Sequence, residues 1–269
     1  MKNTVREWIR EQEIRGKTMF SFEEVAAAFP GVGRQIVQNS LLRLKKNHVL
    51  YSPYRAFFVI LPPQYVLRGG VPPYYYMDEL MRYLHKEYYF GLLTAAAIWG
   101  AAHQRPQVDF VMTELPRLSA PPVEQRMVHW GYRKQMPTAF ICEKNGEAGV
   151  VRYSSAELTA VELVQFEQYV GGLSVVATVL GELLDSTDFA RASEGVFKVC
   201  KDSAIQRMGY LVERVIGDEL RGEVIYHEWT RLCKAPHFIP LSLRSKGEVR
   251  VRDERWKIDV NAQPEVDEI

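Results

Sequence analysis

Chain breakers cut the first sixty-three residues at close intervals: Gly16, Pro30-Gly31, Asn47-His48, Ser52-Pro53-Tyr54-Arg55 and Pro62-Pro63. Each disfavours continuation of a helix or strand. What lies between them must be short elements that stabilise one another, because an isolated helix of a dozen residues is marginal in water. Val5, Trp8 and Ile9 fall at i, i+3 and i+4, on one face of a first helix that Gly16 stops. Ser21 followed three positions on by Glu24 reads as a capping box opening a second helix, with Val25, Ala28 and Phe29 as its buried stripe. A third helix is predicted from Gly33 to about Lys46, with Ile36, Val37, Leu41 and Leu44 as its apolar stripe.

The opposite face of that third helix carries Arg34, Gln35, Gln38, Asn39, Arg43 and Lys45. These are the side chains that read base edges and phosphates: arginine pairs with guanine, asparagine and glutamine with adenine. After Asn47-His48, which ends the helix, the chain reads as a strand at 49–51, a turn at 52–55 and a returning strand at 56–61. Two short helices, the second polar and basic, followed by a hairpin describe a winged helix-turn-helix, whose second helix enters the major groove. Gln35, Gln38 and Asn39, near the helix start, are the candidate base readers. Arg43, Lys45, Lys46 and Arg55 at the hairpin tip are candidate phosphate contacts. Leu42 falls on the outward face, there either to touch a thymine methyl or to pack. Three helices and a hairpin also build protein-interaction modules, and that alternative stays open here.

Charge supports a polyanion partner. Residues 1–70 hold eleven Lys/Arg against five Asp/Glu, and 25–77 hold no acid at all, whereas the remainder has 23 basic and 28 acidic residues. A basic front end on a chain of net charge +1 is an electrostatic footprint for nucleic acid. A solvated surface with its acids elsewhere is the plainer alternative.

Beyond residue 62, Pro72-Pro73-Tyr74-Tyr75-Tyr76 reads as an aromatic connector, followed by a short helix at 79–86 and a buried helix at 88–99. His103, with a neighbouring Arg105, reads as a helix-end cap and not as a catalytic base. Strands are expected at 108–113, 127–132, 140–142 and 150–153, the last two around the Asn145-Gly146 turn. Helices are expected at 159–169, from Gly171-Gly172 through Leu184, and at 203–216 with Ser203 as cap and Gln206, Arg207, Tyr210, Glu213 and Arg214 facing outward. Val249 and Val251, then Trp256, Ile258 and Val260, alternate with polar residues as a terminal hairpin would. The mixture without strict alternation predicts an α+β class. The expected organisation is a winged helix-turn-helix at 1–75 and a mixed C-terminal domain at 76–269.

Several functions find no support. Three distant cysteines, Cys142, Cys200 and Cys233, suggest neither a disulfide framework nor a zinc site. No phosphate loop, G-x-S-x-G or H-E-x-x-H pattern occurs, so no enzyme, cofactor or metal is expected. The longest uncharged apolar stretches, 88–102 and 168–181, fall short of the roughly 20 residues a membrane span needs. The opening residues do not read as a secretory signal, and a cytoplasmic location is expected.

The order of landmarks then carries a resemblance: the winged helix, Gly91-Leu92-Leu93-Thr94-Ala95-Ala96-Ala97-Ile98-Trp99-Gly100, Tyr169-Val170-Gly171-Gly172-Leu173, Ile205-Gln206-Arg207-Met208-Gly209-Tyr210, and Trp256-Lys257-Ile258-Asp259-Val260-Asn261. From about Glu7 to Asn261 the chain resembles the AbiEi antitoxin family of type IV toxin–antitoxin systems. The resemblance implies a regulator that binds inverted repeats in its promoter and represses its own operon. It also implies a C-terminal domain that counteracts a cognate AbiEii-type nucleotidyltransferase toxin without forming a stable complex with it. An alternative is a winged-helix regulator whose second domain binds an effector or dimerises. An enzyme acting on the toxin or its substrate is a third.

Overall fold

The computed structural model describes residues 4–101, 106–119, 127–233, 235–245, 249 and 251–266. The expectations for His103 and Arg105 fall outside them. The fold is mixed α+β. It opens with α1 (Val5–Ile14), β1 (Met19–Ser21), α2 (Phe22–Ala28), α3 (Arg34–Lys46), β2 (Leu50–Tyr54) and β3 (Phe57–Ile60). Thr4 caps α1 through the Glu7 amide. At α2 the capping box forms in full: the Glu24 amide donates to Ser21 Oγ at 3.2 Å, and the Ser21 amide donates to Glu24 Oε2 at 2.7 Å.

α3 ends at Lys46, before the Asn47-His48 pair. His48, not Asn47, takes the left-handed backbone, at φ 54°. The His48 amide donates to Lys45 O and the Val49 amide to Leu44 O, both at 3.0 Å, which closes the last turn as a Schellman motif. The hairpin is also longer than its sequence suggested. β2 runs through Tyr54, and the turn is Arg55-Ala56 with Ala56 at φ 60°. Pro53 cannot donate to the ladder, and the pairing is irregular there, between Tyr51↔Val59 and Tyr54↔Phe57. The short β1, too brief to read from sequence, pairs antiparallel with β3, giving the order β1-β3-β2.

Two corrections follow further on. The aromatic segment read as a connector is the first turn of α4 (Pro73–Tyr83), where Pro73 takes a position at which its missing N–H costs nothing. The expected helix at 88–99 is a strand, β4 (Tyr88–Phe90), and a shorter helix, α5 (Leu92–Trp99), separated by Gly91 in extended backbone. Three successive aromatics favour a pleated surface, and all three are buried. With β5 (Asp109–Glu114), β6 (Val128–Arg133), β7 (Ile141–Asn145) and β8 (Val150–Ser154), β4 belongs to a five-stranded sheet of order β6-β5-β4-β8-β7.

The rest is largely helical: α6 (Ala156–Gln165), α7 (Leu173–Leu183), α8 (Phe189–Val199), α9 (Asp202–Tyr210), a π-helical continuation at Leu211–Ile216, and α10 (Glu219–Leu232). α8 and α10 are additions to what the sequence suggested, and Lys201, not Ser203, precedes α9. Three short strands, β9 (Ile239–Pro240), β10 (Val251–Asp253) and β11 (Ile258–Val260), make a sheet of order β10-β11-β9.

Contacts divide the chain into two compact units. One comprises Met1–Tyr88, Thr113–Lys134 and Glu143–Val151, the other Tyr89–Met112, Gln135–Cys142 and Arg152–Ile269. The first has a core of Trp8, Ile9, Phe20, Val25, Val37, Leu41, Leu44, Leu50, Phe58 and Ile60. The second is organised on α6, which is buried on nearly every side, its Thr159 and Glu162 included.

Candidate nucleic-acid interface

α3 is held by one face. Val37, Leu41 and Leu44 are buried in the core of the first unit. At about 1.5–3 kcal/mol for each fully buried aliphatic side chain, these three contacts outweigh the weak intrinsic stability of thirteen residues. Ile36, expected in the same stripe, is 62% exposed. The reason is angular. With about 100° per residue, Ile36 sits on the flank, a quarter turn from the stripe that Val37, Leu41 and Leu44 define.

The same arithmetic arranges the polar side chains. Gln35, Asn39, Leu42 and Lys46 form the ridge opposite the core, with Arg43 and Ile36 on one flank and Gln38, Lys45 and Arg34 on the other. Arg34, Gln35, Gln38, Asn39, Arg43 and Lys46 are exposed, and Lys45 is half-buried. Leu42 is 52% exposed, so it does not pack into the core. Gln35 Nε2 donates to Asn39 Oδ1 at 3.0 Å, one turn along. At the start of the helix Gly33 offers no side-chain cap, and the first turn holds no acid, which leaves its amides and dipole available to an anion.

Arg34 is placed otherwise than its sequence position implied. Its guanidinium grips Glu23 of α2 through both nitrogens, at 2.9 and 2.5 Å, and lies 4.8 Å from the Phe22 ring centre. The bond from Arg34 holds the Glu23 carboxyl below its ordinary range. Sequence reasoning did not single out Glu23. Eleven residues separate the pair across a turn, and no local spacing rule marks such a contact.

Arg55 occupies the exposed tip of the β2–β3 hairpin. The tip is anchored, since the Phe22 amide donates to Ala56 O at 2.8 Å and Ser52 Oγ donates to Tyr54 O at 2.9 Å. Gln38, Arg43, Lys46 and Arg55 form no side-chain hydrogen bond or ion pair among the described residues.

In the second unit, polar groups expected to face outward are structural. Gln206 and Arg207 are buried. Gln206 Nε2 donates to His237 O and Lys257 O at 3.0 and 2.8 Å, and Arg207 Nε donates to Pro240 O at 2.9 Å. They fasten α9 to the small sheet. Two buried acids missed in the sequence serve similarly. Glu162 Oε1 accepts from Tyr89 Oη at 2.6 Å, and Glu167 Oε1 accepts from the Leu243 amide at 3.1 Å. A cavity of about 330 Å³ is lined by Glu167, Ser174, Ser242, Arg244 and Ser245 among others. Its Ser242 and Ser245 hydroxyls are engaged with backbone groups. Among the described residues no three His, Cys, Asp or Glu side chains gather as metal ligands would, and no helix is long and apolar enough to cross a membrane.

The architecture defines a mixed α+β protein whose first unit displays an exposed polar and basic helix beside an anchored hairpin. Residues 89–214 match the AbiEi antitoxin C-terminal domain, and that segment is similar to antitoxins of this family. Among solved structures it is similar to the crystal structure of the RV2827C protein from Mycobacterium tuberculosis, at 14% identity and a TM-score of 0.68 over 93% of this chain and 89% of that one. That likeness is one of fold. No curated protein matches the chain.

Proposed function

We propose that this protein is the antitoxin of a type IV toxin–antitoxin pair. In this reading residues 1–75 form a winged helix-turn-helix that binds promoter DNA and represses the operon. Residues 76–269 counteract a nucleotidyltransferase toxin in the cytoplasm, without chemistry of their own. The observation that carries the DNA-binding half is the exposed ridge of α3 beside Arg55. Gln35, Gln38 and Asn39 are exposed, and Arg43, Lys45, Lys46 and Arg55 supply cations around them. In this arrangement the amides read bases and the cations hold phosphates. Arg34 contributes least, because Glu23 already offsets its charge. The antitoxin half is supported by the match of residues 89–214 to the family domain.

Binding to a duplex carrying the protein's own promoter tests the first half. With roughly four to six phosphates neutralised per subunit, log affinity should fall with log salt at a slope of about −4 to −5. A flat salt response would remove DNA from the reading.

A further inference from the structure

We infer that α3 selects A·T-rich duplex sites, with Leu42 reading thymine methyl groups, and that Glu23 withholds the arginine that would otherwise admit guanine. This deepens the DNA-binding reading above and rests on it. The major-groove edge of guanine offers two acceptors and is read by arginine, whereas adenine offers a donor beside an acceptor and suits an amide. Thymine adds an exposed methyl. The centre of the α3 ridge carries amides and an aliphatic group, Gln35, Asn39 and Leu42; Lys46 lies at its C-terminal end, where it is assigned to phosphate, and Gln38 and the arginines lie on the flanks. Arg34, the arginine nearest the helix start, is gripped by Glu23 and stacked on Phe22. An exposed ion pair in water contributes little. Beside DNA, however, breaking it would leave the Glu23 carboxylate facing phosphates, so the polyanion itself favours keeping the pair closed.

The Gln35–Asn39 bond sharpens the match. It consumes one donor hydrogen of Gln35 and one acceptor site of Asn39. The pair keeps a free carbonyl acceptor on Gln35 and free amide donors on Asn39. Adenine N6 and N7 require one acceptor and one donor of this kind. Leu42 lies two turns beyond Gln35 on the same ridge and is 52% exposed, with Ile36 on the flank at 62%. An aliphatic group at the centre of a polar ridge finds in the major groove one apolar partner, the thymine C5 methyl.

The test is selection of duplexes from a random pool by the full-length protein, followed by titration of the recovered sequences. The retained pool should be A·T-rich. Replacing thymine by uracil in a recovered site removes only methyl groups, and each contacted methyl lost should weaken binding about fourfold, the equivalent of one buried methylene. Leu42→Ala, a change at an exposed position that leaves the core intact, should bind more weakly and no longer distinguish thymine from uracil. Glu23→Ala should bind more tightly overall and raise the guanine content of its selected pool. A G·C-rich pool, or indifference of the unaltered protein to uracil, overturns the inference while leaving DNA binding standing. Retention of no duplex at all overturns both.

Discussion

Replacing Gly209 with alanine would set a Cβ about 2.0 Å from the Trp256 ring. Trp256 is fully buried, has the Trp229 ring tilted over it at 5.6 Å and the Tyr226 ring edge-on at 5.3 Å, and donates its indole N–H to Glu213 Oε2 at 2.8 Å. A ring so enclosed has nowhere to move, so Gly209→Ala should cost about 3 kcal/mol, at the upper end of ordinary overpacking. A urea melt of the variant checks this, and a loss below about 0.5 kcal/mol, the range of unremarkable surface changes, would contradict the packing. Single residues also explain what the sequence concealed. Glu23 changes the meaning of Arg34, yet its partner is identified only when α2 and α3 are placed side by side. Gln206 and Arg207 look like surface residues in a sequence, and only the backbone carbonyls of Pro240, His237 and Lys257 make their burial tolerable.

Elements with local signals at both ends were the most legible. α2 and α3 could be bounded almost to the residue, because Ser21, Glu24, Pro30-Gly31 and Asn47-His48 act over one turn of backbone. Caps also explain α10, whose Asp218 accepts from the Arg221 amide at 2.9 Å. Burial pushes the pKa of Asp218 up, but the bonds from Arg221 outweigh it and leave the group below its ordinary 3.8. A carboxyl lowered on folding stabilises the fold above its ordinary value, and that contribution disappears as the pH falls through the lowered one. Asp218→Ala should therefore destabilise by about 1 kcal/mol at pH 7. The difference from the unaltered protein should narrow below the ordinary 3.8 of this group, as thermal melts across that range would register. An unchanged difference at low pH would remove the cap's ionisation from the account. β1 and the division of 88–99 into β4 and α5 lacked such signals. Three-residue strands are specified by the partner they pair with, and the apolar run 88–99 fits a buried helix as well as a buried strand followed by a helix.

For the whole molecule, the proposed division of labour makes a distinct prediction. Changing Gln38 and Arg43 to alanine together should weaken promoter binding by at least tenfold, the worth of one good base contact. Neither side chain is in the core, so stability should be unchanged within about 0.5 kcal/mol. The same variant should still rescue cells from the cognate toxin. Parallel measurement of promoter affinity and rescue separates the two functions. Joint loss of both in a folded variant would mean that they are not assigned to different parts of the chain.

By itself the sequence determined the short-element layout of the first sixty-three residues, the basic character of that region and the polar ridge of α3, because caps, breakers and helical period act within a few residues. It also carried the landmarks at 91–100, 169–173 and 205–210, which lie within the match at 89–214. Tertiary structure alone decided that Arg34 is occupied by Glu23 and that Gln206 and Arg207 turn inward. Those outcomes depend on groups distant along the chain meeting in space, where desolvation and partner geometry, not local propensity, set the free energy.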